Sequence, residues 1–431
     1  MAAPASPAPH PGQAAPGLRS ARAVPAPAGG PQRGHVVIIV QNLSVPFDRR
    51  VWLECQALVA EGWAVSVVCP RGPGDPAYAV LDGVHLYKYR QRVVGEGQAG
   101  FVAEYLYSFA ASAWLVLKAA RRRRITVLQA CNPPDIFWPI GIVLRVLTGS
   151  RFVFDHHDLC PELYQSRFPD GPRLPYWGLR AAEWCAHRSA DHVIATNESY
   201  RRVAIERSGK APARVTIVRT GPDDGWLQRG PVDPSLRRGR RFLAAYLGVM
   251  GPQDGVDIVV RSAQVIAQTW GRSDVAFTLI GGGDCFDELV TLRDELGLKD
   301  VVEFTGRAPD ALVHAVLSTA DVGLSPDPKN PLNDVSTMNK TMEYMAFGLP
   351  VVAFDLVETR VSAGDAALYA TPNEVEDFAR AIVELLDDPA RRATMGVYAR
   401  ARVEDELAWR HSRRAYVGVY RDMITTRASG G

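Results

Sequence analysis

Residues 333–354 read N-D-V-S-T-M-N-K-T-M-E-Y-M-A-F-G-L-P-V-V-A-F, and two of them could do chemistry together. Lys340 and Glu343 stand one helical turn apart, on nearly the same face. A helix start attracts anions through its free amides and its dipole, so a lysine placed there strengthens a phosphate site. A carboxylate one turn on can accept both hydroxyls of a vicinal diol such as a ribose. Phosphate beside ribose describes a nucleotide, and Thr337 and Asn339 would join its contacts. The bland alternative is a surface ion pair worth about 0.2–0.5 kcal/mol. The rest of the chain has to decide between them.

A second group stands at residues 155–158, Asp155-His156-His157-Asp158, at the carboxyl end of the strand expected at 152–155. Adjacent histidines on an extended segment point to opposite faces, which argues against one metal ion between them. Glycine-bearing loops make a third group: Gly248 and Gly251, then Gly282 and Gly283, then Gly306 followed by Arg307. Glycine lets backbone amides come close to a ligand. Arg49 and Arg50 open the first helix and are either the edge of a site or ordinary first-turn residues. Arg121, Arg122, Arg123 and Arg124 follow a long apolar, aromatic-rich helix expected at 101–120. Such a cluster can meet anionic lipid headgroups or simply complement a helix C-terminus.

The elements that must position these residues alternate strand and helix twice over. Strands are expected at 35–40, 64–69, 84–89, 125–129, 152–155, 192–195 and 215–218, with helices near 49–61 and 135–147. The pattern restarts with strands at 242–247, 276–280, 301–304, 322–324 and 351–354. Helices are expected at 256–269, 286–296, 309–319 and 375–386, and at 404–425 to close the chain. Strand–helix–strand alternation favours parallel sheets with right-handed crossovers, whose ligands sit at the carboxyl ends of the strands. Ser336 or Thr337 is the expected N-cap of the Lys340 helix, with Gly348 and Pro350 as its stop. A chain of 431 residues divides naturally in two. The proposed division is a disordered Ala/Pro-rich tail at 1–34, a first domain at 35–222, a linker at 223–241, a second domain at 242–403 and a closing helix and tail at 404–431.

Composition removes several functions. Net charge is +2, so a nucleic-acid partner is not expected. The six cysteines form no C-x-x-C pair and read as buried thiols of a reducing compartment. No stretch has the ~18 apolar residues of a spanning helix, and the tail lacks the apolar segment of a secretory signal. The expected location is cytoplasmic, with peripheral contact at the inner face of the membrane.

F-D-H-H-D, Y-L-G, L-I-G-G-G, E-F-T-G and above all K-T-M-E-Y-M-A-F-G-L-P-V-V resemble the retaining glycosyltransferases of family 4, over nearly everything from residue 35 on. The resemblance implies a GT-B fold: two Rossmann-like α/β domains of doubly wound parallel sheet facing a cleft, with the C-terminal helix crossing back to the N-terminal domain. The first domain would bind the acceptor and the second a nucleoside-diphosphate sugar. Glu343 would hold the ribose, Lys340 would lie near the diphosphate, and His157 near the sugar in the interdomain cleft. The activity implied is sugar transfer with retention of configuration, hexosyl or N-acetylhexosaminyl in type. The acceptor would be a saccharide or a polyprenyl-linked sugar of cell-envelope or exopolysaccharide biosynthesis, with the arginine cluster at an anionic membrane. No D-x-D follows a strand, so no metal is expected and no cofactor beyond the donor substrate.

Two departures from the family pattern stand out. Val335 occupies the place of the first of two glutamates. Val249 and Asp254 occupy places where an arginine and a lysine usually grip the diphosphate, which shifts charge neutralisation to Lys340, the helix start, and Arg307 or Arg49 and Arg50. The alternatives are a GT-B sugar-nucleotide epimerase and a degenerate subunit that binds nucleotide-sugar without turnover.

Overall fold

The structure is a computed structural model that describes residues 33–91 and 98–428. The tail expected at 1–34 lies outside the described residues except for Arg33 and Gly34. These two are already tied to the first sheet: the Arg33 amide donates to Gly62 O, and Gly34 O accepts from the Ala64 amide. The chain forms two compact units. The first runs to Arg219 and resumes at Ser412, and the second is Thr220–His411.

The first unit carries β1 (His35–Ile39), β2 (Ala64–Pro70), β3 (Tyr78–Leu81), β4 (Val84–Tyr89), β5 (Val127–Cys131), β6 (Arg151–His156), β7 (His192–Ala195) and β8 (Val215–Ile217). They form one sheet in the order β3-β4-β2-β1-β5-β6-β7-β8. β1 and β5, at its centre, are buried at every residue and apolar except for His35 and Gln129, as strands covered on both faces should be. The β3–β4 pair is antiparallel, while the other pairs of the sheet are parallel. Asp82 and Gly83 both have positive φ, 46° and 81°, which is the backbone of a tight two-residue hairpin turn. That Asp-Gly signal was readable, yet β3 is absent from the expected strands.

The second unit carries β9 (Phe242–Leu247), β10 (Val275–Ile280), β11 (Val302–Gly306), β12 (Val322–Ser325), β13 (Val351–Phe354) and β14 (Ala367–Ala370). Their order is β11-β10-β9-β12-β13-β14, parallel throughout. The helix expected over 256–269 is α-helical only over Val256–Gln264 and widens to a π turn at Val265–Thr269. Residues 223–241, read from composition as a linker, belong to this unit. Their arginines have internal partners: Arg237 pairs with Asp321, and the Arg238 guanidinium donates to Phe277 O and Val301 O at 3.0 Å each. The last helix, Trp409–Ala428, returns to the first unit from Ser412 on.

Candidate functional site

In the second sheet the strands run outward in both directions from the β9–β12 boundary. Loops leaving two such strands diverge, and the crevice between them is where doubly wound sheets bind ligands. Lys340 reaches into that boundary. Its Nζ lies 2.6 Å from Asp327 Oδ1, two residues past β12, and 3.7 Å from Asp254 Oδ1 in the loop after β9. The Tyr246 ring centroid is 5.1 Å away. The side chain is only 9 % exposed, so Lys340 is no surface lysine. Burial works against the ammonium, but Asp327, then Tyr246 and Asp254, outweigh it and hold the pKa well above the ordinary value.

The helix that carries Lys340 is Asn339–Ala346, and its start corrects one expectation. The N-cap is Met338, whose side chain has no oxygen to offer, not Ser336 or Thr337. The Ser336 hydroxyl instead donates to Leu332 O at 2.7 Å and closes the preceding turn Asn333–Val335. Lys340 is therefore the second residue of the helix, and Asn339, its first, is exposed. Thr337 and Glu343 are half-buried, with Glu343 one turn beyond Lys340. Tyr344 fixes the helix across the boundary: its hydroxyl accepts from the Leu247 amide at 2.7 Å and donates to Leu324 O at 3.0 Å. The helix ends as expected, with Gly348 at φ 63°.

The glycine loops after β9 and β10 are zipped together. The Gly248 amide donates to Ile280 O, and the Met250 amide to Gly282 O. A Cβ on Gly281, at φ 135°, would stand 1.8 Å from Gly248 O, so this residue has to be glycine. A Cβ on Gly283 would stand 2.7 Å from Met250 O, and one on Gly248 would press on Tyr246 and the Lys340 chain. Gly282 faces open space, as a ligand-approach position should. The Gly251 amide donates to Asp254 Oδ2 at 2.9 Å, which fixes the carboxylate that faces Lys340. Gly306 and exposed Arg307 stand at the exit of edge strand β11, two strands from β9. They are outside the Lys340 cluster, although Gly306 O does accept from the Gly281 amide.

In the first unit His157 follows β6. Its backbone amide and that of Asp158 both donate to Asn132 Oδ1, at 2.8 and 3.0 Å. Its Nδ1 lies 3.4 Å from Asp155 Oδ2. His156 points the other way and is fully buried, 3.2 Å from His187 and 3.6 Å from Glu183. Arg50, one of the arginines considered for the diphosphate, is committed elsewhere. It is buried, donates to both oxygens of Asp155 at 2.8 and 3.2 Å, and lies 3.2 Å from Glu54. Arg49 is exposed. Burial would raise the Asp155 carboxyl, yet Arg50 and then His157 hold it below the ordinary carboxylate range.

Among the described residues, Glu54, Cys131 and Asp155 bring ligand-type atoms within 4.8 Å of one another. Arg50 already supplies the cation there, and burial followed by Asp155 and Glu54 pushes the Cys131 thiol well up. Cys55, Cys69, Cys131 and Cys160 are buried thiols, whereas Cys185 and Cys285 are half-buried, short of the full burial expected.

The arginine cluster is partly engaged. The Arg122 guanidinium lies 4.4 Å from the Tyr78 ring centroid, Arg121 lies 5.6 Å from Trp114, and Arg124 donates to Thr148 O. Around it the first unit exposes Trp114, Val143, Val146 and Leu147, on helices Gln98–Arg122 and Trp138–Thr148. Among the described residues no helix is long and apolar enough to cross a membrane.

Several positioning residues escaped the sequence reading. Asp327 had a signal in S-P-D-P at a strand exit, and Asn132 had one in N-P-P-D at another. Gln129 had a weaker signal, a lone amide inside an apolar strand. Tyr344 had none, because an aromatic in a helix reads as core.

Residues 48–225 match the family model "Glycosyltransferase Family 4", and residues 241–388 match "Glycosyl transferases group 1". A D-inositol 3-phosphate glycosyltransferase from Kineococcus radiotolerans is 28% identical over 56% of this chain and 59% of its own length. A 2-deoxystreptamine glucosyltransferase from Streptomyces kanamyceticus is 26% identical over 58% of this chain and 65% of its own. The chain thus spans about three fifths of the length of such curated relatives. Among solved structures, the sucrose-phosphate synthase of Thermosynechococcus elongatus superposes with TM-score 0.75 at 18% identity, over 91% of this chain and 100% of that one. Anabaena HepE in complex with UDP-glucose gives TM-score 0.65 at 17% identity, over 92% and 100%. Both likenesses concern the fold.

Proposed function

From the premise that the chain belongs to the family 4 glycosyltransferases of GT-B fold, we propose that it transfers a hexosyl or N-acetylhexosaminyl group from a nucleoside-diphosphate sugar, with retention of configuration. The observation that carries this reading is the Lys340 ammonium, buried and kept charged where the loops after β9 and β12 diverge. The glycosidic bond to the diphosphate breaks as the acceptor oxygen bonds to the same carbon from the same face, and the acceptor's proton passes to the departing diphosphate. Negative charge grows on the leaving group, and a preorganised cation aimed at it is the largest expected contribution. Glu343 takes the ribose. Gly248, Gly282 and Gly283 let amides reach the phosphates, and His157 takes the sugar-facing role. The reaction proceeds without a metal ion.

The relatives' names nominate UDP-glucose as donor and inositol phosphates or aminocyclitols as acceptors to try first. Polyprenyl-linked saccharides of the cell envelope come next, because exposed tryptophan and aliphatic side chains beside Arg121–Arg124 suit an anionic membrane surface. Thermal shift against a panel of nucleotide-sugars, then turnover with each acceptor class and with EDTA, tests the assignment. Stabilisation by a nucleoside-diphosphate sugar and EDTA-resistant transfer are expected. Donor consumed without acceptor would make the protein an epimerase or hydrolase instead. Flotation with anionic vesicles tests the membrane contact, which should weaken when the four arginines are neutralised.

A further inference from the structure

A buried polar chain runs from the C-terminal helix to His157, and every link lies inside the first unit. The hydroxyls of Tyr416 and Tyr420 both donate to Gln129 Oε1, Tyr416 at 2.8 Å. Both tyrosines and Gln129 are fully buried. With Oε1 taken, the Gln129 amide nitrogen has to face the other way, 2.7 Å from Glu54 Oε2 and 3.5 Å from Asp155 Oδ2. Turning the amide over would put its oxygen against the Asp155 carboxylate and its NH2 against two hydroxyls that now donate, so the tyrosines and the carboxyl groups fix its direction together. Asp155 Oδ2 is where the chain converges: it receives Arg50 Nε at 3.2 Å, Gln129 Nε2 at 3.5 Å and His157 Nδ1 at 3.4 Å. Asn132 already fixes the His157 backbone, so this oxygen governs what freedom the ring retains.

We propose that Tyr416, Tyr420, Gln129 and Asp155 are positioning residues for His157. Through them, seating of the C-terminal helix selects the ring orientation and tautomer that has the proton on Nδ1 and leaves Nε2 to meet the substrate. The proposal rests on the reading of His157 as sugar-facing. It adds that the last helix of the chain tunes that ring without touching substrate. A histidine's reactive nitrogen is set by the hydrogen bond its other nitrogen makes, and a chain of buried polar groups passes changes along because none of them has water to fall back on.

The test is histidine-selective 15N NMR of the full chain, with the His157 signal assigned by its loss in His157→Gln, alongside steady-state kinetics. The parent should show His157 protonated on Nδ1. In Tyr416→Phe/Tyr420→Phe the Nε2-protonated form should grow and kcat should fall roughly tenfold, with KM for the donor unchanged. A double variant with the parent's tautomer and kcat overturns the proposal. Should it fail to fold, Tyr420→Phe alone leaves one donor on Gln129 and should move both readouts the same way by less; no movement overturns the proposal equally. Full turnover in His157→Ala would sink the sugar-facing role while leaving the tautomer result intact, so the two failures are distinguishable.

Discussion

Each unit buries one basic side chain between two carboxylates, next to the place where its strand order reverses. In the first unit Arg50 meets Asp155 through two hydrogen bonds and Glu54 through a third contact, and its remaining nitrogen donates to Val218 O. Its planar fork is filled, which suits a cation that must stay put. In the second unit Lys340 has one short partner, Asp327, while Asp254 stands off at 3.7 Å and is itself held by the Gly251 amide. An ammonium is a point charge on a flexible stem. The difference separates a cation spent on holding strands together from one kept charged and able to meet an arriving anion.

Breaking the closed cage should give the largest effect. Arg50→Met leaves Asp155 buried without its counter-charge, beside a Glu54 carboxyl that burial and Asp155 already push well up, and should cost about 3–5 kcal/mol of stability in urea unfolding. Lys340→Ala should act first on turnover, lowering kcat by about 10²–10³, with a circular dichroism spectrum like the parent's. If Arg50→Met and Lys340→Ala instead lost stability alike and turnover alike, the two cages would be equivalent and the distinction gone.

Asp254→Asn sharpens the contrast. It removes the distant carboxylate and should tighten nucleoside-diphosphate binding several-fold, on the order of the 1 kcal/mol of a water-screened charge contact, read by isothermal titration calorimetry with a panel of nucleoside diphosphates. Weaker binding would mean that Asp254 holds Lys340 in place and does not compete with the phosphate.

The last effect concerns acid and is spread over several groups. His35 and His192, both in the first unit, are pushed down to about 4, mainly by burial. The unfolded chain takes up their protons near 6.5 and the folded one only near 4, so stability should fall as pH drops across that window, by about 3 kcal/mol per histidine at most. Asp135, pushed up to about 6 by burial, works the other way and gains stability as pH falls from 6 toward 4, offsetting about one of them. His35→Gln should flatten the pH dependence of the urea midpoint. An unchanged slope would place the acid sensitivity outside these groups.

The fold was legible because its signals are repetitive. Apolar runs such as 242–247 and 351–354 match β9 and β13 residue for residue, since a strand buried on both faces admits little but aliphatic side chains. The chemistry of Lys340 and Glu343 was legible as a pair one turn apart. Its surroundings were not, because Asp327 and Asp254 lie 13 and 86 positions away in sequence and meet Lys340 only through the sheet. The misplaced cap has the same root: Ser336 is a good cap by type, but its hydroxyl closes a turn behind it. Arg50 could be read only as a site edge or a first-turn surface residue, because Asp155, its partner, arrives 105 residues later.

The seat of Tyr416 and Tyr420 on Gln129 has a bearing on synthesis. The earlier body of the chain emerges from the ribosome with that amide oxygen still lacking its donors. It cannot complete its interior until the whole of 220–411 and the final helix have been made. At about 5–20 residues per second, that wait is on the order of ten to forty seconds. Throughout it, Gln129 on the central strand β5 waits for the two hydroxyls it will accept from, a natural moment for chaperone attendance.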